Sequence, residues 1–328
     1  MSRSTKAHVL LILTTLVWGV TFVQIKDALS DISPLLFNTV RMTLAAVALL
    51  IMFSRRLRTL SRGAFLTGCL VGTFLWAGYE FQTTGLALTT PSKSAFLTGF
   101  SVILVPVFLA LFWRRRVNRW VVAGVITAML GLYLMTVPSA SSGWPTQRSW
   151  WPTQAGFAWV GSGLTSINRG DLLTIGCAIF FALQIINMGR AMQKYKFEQI
   201  ATLQACVAAV LMAISVPVLE HPHVIWSSRV IWAVLVTGLL GTAAAFTIQA
   251  WAQQFTAPTY TALIFLLEPV FAWITSYVVL HERLGWRAGF GALLILGGIV
   301  VSELKGSAAE LADEVGPPSE PHELKANS

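Results

Sequence analysis

Apolar residues in this chain come in long runs separated by short charged turns. Ten runs read as spans: His8–Ile25, Pro34–Phe53, Ala64–Leu86, Ser92–Trp113, Trp120–Pro138, Asp171–Gln193, Glu198–Leu219, Val230–Gln253, Pro258–Leu280 and Gly285–Ser302. A helix of about 20 residues crosses the ~30 Å hydrocarbon core of a bilayer. Lipid offers backbone groups no partner, so runs of this length are expected as helices, which satisfy their own backbone. The predicted fold is an all-α membrane protein with ten transmembrane helices. The first run has the outline of a signal peptide, with Arg3 and Lys6 before it and Ala28-Leu29-Ser30 after it. It is longer than a usual h-region and contains Trp18 and Gln24, so it is expected to be a retained helix.

Composition agrees with the pattern. The chain of 328 residues is 55% hydrophobic and only 11% charged, where soluble domains carry about 25% charge. A net charge of +9 suggests nucleic acid at first sight. That partner is excluded, because the Lys and Arg lie in short connections, where positive charge holds a loop in the cytoplasm. With the N-terminus inside, that side holds Arg3 and Lys6, the Arg55–Arg62 cluster, Arg114–Arg119, and Arg190, Lys194 and Lys196. The opposite side holds fewer: Lys26, Lys93, Arg148, Arg169, Arg229, Arg283 and Arg287. Both termini are therefore expected in the cytoplasm. Cys69, Cys177 and Cys206 all fall within apolar runs and read as buried thiols, not as a disulfide framework or metal site.

The two halves repeat. Laid over the second half, the first puts Trp18 on Phe181, Thr21 on Gln184, Gln24 on Asn187 and Arg41 on Gln204. A slightly larger offset pairs Gln82 with Gln249, Pro91 with Pro258, Ser101 with Glu268, Gly124 with Gly291 and Gly131 with Gly298. An odd number of spans per copy forces the second copy to insert upside down. Two inverted five-helix repeats around a midplane site are a transporter architecture. The expected organisation is a first repeat over 1–138, a linker over 139–170, a second repeat over 171–303 and a disordered cytoplasmic tail over 304–328. The linker carries WPTQ at Trp144 and again at Trp151. It reads either as an irregular external loop at the interface, which Trp favours, or as a lid. The tail holds scattered acids and Pro317-Pro318.

Three stretches carry a resemblance: Trp18-Gly19, SKSAFLTGFSVILVPVF from Ser92, and ALIFLLEPVFAWITSYVVLHERLGWRAGFGALLILGGIVV from Ala262. They resemble the EamA family of the drug/metabolite transporter superfamily over roughly residues 8 to 303. The first half departs at Phe112-Trp113-Arg114-Arg115-Arg116, where an acidic turn like His281-Glu282-Arg283 is usual. The resemblance implies secondary transport of small organic solutes by alternating access. It also implies a central cavity lined mainly by the first, third, fourth, sixth, eighth and ninth helices.

Ionisable groups at membrane depth are expensive and point to function by default. Glu80, in LWAGYEFQTTG, could share a face with Trp76, Thr83 and Thr84 and bind a proton or a cationic group. Its competing reading is a structural acid bonded to a neighbouring helix. Glu268 precedes Pro269, whose ring removes a helix bond and frees the carbonyl of Phe265. Coupling and helix structure stay open for it. Thr98 and Ser101 form a polar stripe that either lines a cavity or glues helices together. Gln184 and Asn187 match Thr21 and Gln24, and their amides could bond a carboxylate or amine. Trp18 and Trp76 could wall in a solute or simply pack. Gln82 and Gln249 occupy equivalent positions near the pseudo-symmetry axis. Arg41 is expected to snorkel or pair with an acid, and Asp171 to cap a helix start.

No HExxH, Walker loop or nucleotide fingerprint is present, and the intramembrane acids stand alone. The expected protein is not an enzyme, needs no cofactor, and sits as a monomer in the cytoplasmic (inner) membrane. The leading function is efflux of amino acids or related metabolites, with a proton as candidate coupling ion. The alternatives are an importer, or a non-transporting sensor or assembly factor on the same scaffold.

Overall fold

The computed structural model describes residues 2–88, 94, 97–114, 117–136, 169–280 and 286–305. The linker at 139–168 and the tail at 306–328 lie outside the described residues. The helices are α1 (Arg3–Ala28), α2 (Pro34–Leu57), α3 (Arg62–Leu88), α4 (Ser101–Trp113), α5 (Arg119–Thr136), α6 (Arg169–Met192), α7 (Phe197–Leu219), α8 (Ser228–Ala252), α9 (Pro258–Phe265), α10 (Glu268–Leu280) and α11 (Trp286–Lys305). Among the described residues the sole β feature is an isolated bridge between Ile32 and Val224.

Local sequence explains the boundaries. Ser2 accepts the amide of Thr5 at 3.1 Å, and Ser227 that of Val230 at 3.4 Å, so both cap a helix start. Pro34 opens α2, where its missing N–H costs nothing. Arg114 ends α4 in the left-handed region at φ 51°. Asp171 is expected as a cap, but α6 begins at Arg169 and puts this buried acid inside the first turn.

By length and composition α1, α2, α3, α6, α7 and α8 can each cross a membrane. Shorter apolar helices occupy Leu97–Trp113, Arg119–Leu134, Pro258–Ala272 and Gly289–Ser302. Large apolar side chains face outward along them, among them Ile51, Leu111, Ile126, Val218 and Leu293. Such a surface is suited to hydrocarbon, not water.

Among the described residues, the eighth and ninth spans show the clearest departures from continuous α-helix. The ninth run breaks at Leu266–Leu267, where amides reach back only three residues, to Leu263 and Ile264 at 3.2 and 3.0 Å. Pro269, with no N–H, cannot continue the ladder across that turn, so Glu268 opens a new helix. In α8, residues Val236–Ala244 form a π-helix. The Thr242 hydroxyl donates to the carbonyl of Thr237, five residues back, at 2.8 Å. Sequence periodicity gave no sign of this segment.

Packing of α5 on α11 is the most extensive helix contact, followed by α3 on α6. Glycines make the first possible. A Cβ at Gly124 would lie 2.6 Å from the carbonyl oxygen of Gly298, and one at Gly131 would collide with the carbonyl of Gly291. Backbones at that distance leave no room for a side chain. A second close approach joins α1 to α10: a Cβ at Gly19 would meet the Glu268 carbonyl at 2.8 Å.

Two side-chain clusters bracket the centre. One gathers α4, α5, α9 and α11 around Leu132, Leu263 and Ile295; the other gathers α2, α3, α7 and α8 around Met42, Leu75 and Met212. At one end of the bundle, the α1–α2 and α7–α8 connections clasp each other. Ser227 donates to Asp31 at 2.6 Å, Arg229 reaches Asp27 and Asp31 at 3.3 and 3.2 Å, and Glu220 accepts the amides of Leu35 and Leu36.

Candidate functional site

A cavity of about 830 Å³, counting its open part, lies between these clusters. Its wall draws on α1, α2, α3, α4, α6, α8, α9 and α10.

Aromatic rings form one part of the wall. Trp18 packs against Phe265 at 4.8 Å and Phe246 at 5.6 Å between centroids. Tyr79 meets Phe181 at 5.4 Å and Phe246 at 6.0 Å, both edge to face. The Trp18 indole N–H donates to the Gly241 carbonyl at 2.7 Å. The π-helix therefore fixes the orientation of the cavity's largest ring. π turns inside helices are frequent at functional sites.

Amides form another part. Gln249 donates to the Oε1 of Gln184 at 3.1 Å, and Gln184 donates to the Oε1 of Gln204 at 3.0 Å. Gln253 ties the chain to the backbone of Ile185 at 3.0 Å. Gln249 Oε1, though buried, has no hydrogen-bond partner.

Of the residues singled out in sequence, Trp18, Thr21, Gln82, Thr98, Ser101, Gln184, Gln249 and Glu268 line this one cavity. Trp76, Glu80 and Asn187 do not. Gln82 and Glu80 are two residues apart on a helix, about 200° around its axis, so they cannot face one space. Gln82 takes the cavity face together with Tyr79. Glu80 turns with Trp76 toward α7, where Ser215 lies beside its carboxyl. Glu80 is buried, with the Ser215 hydroxyl as the polar group beside its carboxyl. Glu80 and Glu268 therefore do not share this cavity. Asn187 donates to the Leu183 carbonyl of its own helix at 2.8 Å.

Arg41 departs furthest from expectation. It is 3% exposed, so it does not snorkel, and among the described residues it has no carboxylate partner. Its guanidinium lies 4.0 Å from the centre of the Tyr79 ring and 5.7 Å from that of Phe37. Nε and Nη2 are buried without a hydrogen-bond partner. One turn earlier Asn38 donates to the Tyr79 carbonyl at 3.0 Å and accepts from Thr83 at 3.0 Å, which holds α2 on α3. The second helix thus joins the wall through this residue. Two signals in sequence pointed that way: a charge well inside an apolar run, and Tyr79 three residues before Gln82.

Outside the spans, Asp31 has a carboxyl held below its ordinary range. The Ser227 hydrogen bond is the main cause, with the Arg229 charge adding to it. Cys177 is buried beside Thr98, 3.7 Å from its hydroxyl, while Cys69 and Cys206 are half-buried; all three are free.

Comparison with known proteins gives the framework a family. The model of the EamA-like transporter family matches twice, at residues 5–137 and 168–304. An uncharacterized transporter of Archaeoglobus fulgidus is 30% identical over 90% of this chain and 85% of its own length. The uncharacterized transporter YoaV of Bacillus subtilis is 25% identical over 89% and 94%. A protein solved by crystallography superimposes with a TM-score of 0.70 at 16% identity, covering 92% of this chain and 97% of that one, which is a likeness of fold. The chain belongs to the EamA-like transporter family, within the drug/metabolite transporter superfamily, and is an integral membrane transporter.

Proposed function

We propose that this protein is a secondary active transporter that exports amino acids or related small metabolites by alternating access. Its ten transmembrane helices form two inverted five-helix repeats, with the solute between them. One observation carries the reading. The cavity wall is built from residues that the internal repeat pairs with one another: Trp18 with Phe181, Thr21 with Gln184, Tyr79 with Phe246, Gln82 with Gln249 and Ser101 with Glu268. A pseudo-twofold axis through the cavity would produce this pairing. Reciprocal contacts on α5 and α11 support the same axis, since Gly124 meets Gly298 and Gly131 meets Gly291. A site on such an axis can be opened to either face by the same motion run in opposite senses.

The chemistry suits amphipathic solutes. Aromatic rings offer an apolar bed, and the amides of Gln82, Gln184 and Gln249 offer neutral donors and acceptors. Glu268 supplies a carboxyl for an amine or a proton. The excess of Lys and Arg on the N-terminal side supports cytoplasmic termini in the inner membrane. Reporter fusions at the C-terminus and within 141–149 test that orientation, and a C-terminal reporter active only outside overturns it.

Counterflow of labelled amino acids in proteoliposomes tests transport itself: a preloaded unlabelled solute should drive uptake of label. If a proton is the coupling ion, Glu268→Gln should abolish flux driven by a pH gradient, while exchange at equal pH persists. Glu80→Gln, off the cavity wall, should retain more of that flux than Glu268→Gln. Unimpaired pH-driven transport in both variants ends the proton-coupling role of these acids.

A further inference from the structure

We infer that Arg41 is the carboxylate-binding residue of the cavity, so that the protein takes solutes by their carboxylate group. The inference deepens the transport reading above and rests on it for the location of the solute site. A guanidinium stays charged at any ordinary pH and presents donors in a planar fork matched to a carboxylate. Removed from water, such a charge is costly unless it is paired and hydrogen-bonded. Arg41 is buried on the wall of the central cavity, and no acid of the described residues pairs with it. Nε and Nη2 have no acceptor. Tyr79 supplies a cation–π contact at 4.0 Å and a polar contact to the guanidinium, but Nε and Nη2 remain without an acceptor.

The missing acceptor is therefore an anion or water that enters the cavity. Glu268 and the apolar rings of the same wall favour a carboxylate borne on a small amphipathic molecule over a highly charged anion such as a phosphate ester. The Asn38 bonds to Tyr79 and Thr83 keep α2 and α3 in register, so the donors are fixed before the solute arrives. Preorganised donors lose little entropy on binding.

The test is a thermal-shift titration of the purified full chain with matched sets: leucine, isoamylamine and 4-methylpentanoate; phenylalanine, phenethylamine and 3-phenylpropionate. Wild type should be stabilised by carboxylate-bearing members. Arg41→Met should need ~10- to 100-fold more of them, the loss expected for hydrogen bonds to a charged group. Without solute, Arg41→Met should melt at or above wild type, because an unpaired buried charge has been removed. Arg41→Lys keeps the charge without the fork and should also weaken carboxylate binding, which serves if the Met variant does not fold.

Two results overturn the inference: no response of wild type to any carboxylate, or an unchanged response in the folded variants. A response to amines alone overturns it while leaving the transport reading intact. Carboxylate binding lost in the variants, with no counterflow in wild type, supports the inference and removes the transport reading instead.

Discussion

The clasp between the α1–α2 and α7–α8 connections and the central cavity treat polar groups in opposite ways. In the clasp, acids find partners: Asp31 has Ser227 and Arg229, Asp27 has Arg229, and Glu220 has two backbone amides at the start of α2. In the cavity, Arg41 keeps two nitrogens and Gln249 one oxygen without partners. The clasp is the more exposed of the two, so an unmade bond there would be replaced by water at little cost. In the cavity an unmade bond forfeits the full desolvation penalty of a buried group. The fold satisfies the groups that are cheap to leave alone and leaves open those that are expensive. Arg41 and Gln249 lie on the cavity wall within reach of a ligand, whereas Glu80, unpaired but off that wall, does not.

The largest way to break the comparison is to deform the cavity while sparing the clasp. Gly19→Val would push a side chain into the Glu268 carbonyl and the Phe271 Cβ, at 2.8 and 2.7 Å from an ideal Cβ. Overpacking of this kind costs about 1–3 kcal/mol. Melting temperature and solute flux should both fall. A disulfide engineered between positions 31 and 227, with the native cysteines replaced, should still form. A cross-link lost in Gly19→Val would mean that clasp and cavity are one unit.

Next in size is the amide chain. Gln184→Leu removes the acceptor of Gln249 and the donor to Gln204 together. Stranding those groups costs about 1–3 kcal/mol. Solute affinity should fall as well, because Gln249 loses the contact that orients it. Stability can be read by thermal denaturation in detergent and affinity by the same assay with solute.

The smallest effect belongs to the clasp. The Asp31 carboxyl is held below its usual value by Ser227 and Arg229. A depressed folded-state value means the stabilising contribution is present above the unfolded value, near 3.8, and is lost as pH falls through the folded one. Asp31→Asn should therefore lower the melting temperature slightly at pH 7 and not at all near pH 2. A difference that grows on acidification would reverse the assignment.

Much of this organisation was legible in sequence. Run lengths indicated helices and where they turn, because lipid punishes unpaired backbone over a fixed thickness. Spacing within the repeat picked out cavity residues from both halves, such as Thr21 with Gln184 and Gln82 with Gln249. Other features could not be read there. Glu80 and Gln82 both carry polar groups at cavity depth in sequence, but one helix face admits only one of them, and which one depends on how α3 is rotated against α6 and α7. The π turn of α8 presents the Gly241 carbonyl to Trp18, a contact across 223 positions of chain. Arg41 looked like a charge that would find water or an acid.

The sequence by itself determined that this chain is a bundle of apolar helices with an internal repeat and polar residues at matching positions of the two copies. Those properties are local, set by length, hydropathy and spacing along one helix. The tertiary structure alone decided that Arg41 is enclosed without a partner while Asp31 is paired. Pairing is a property of what packs opposite a side chain, and residues far apart in the chain supply it.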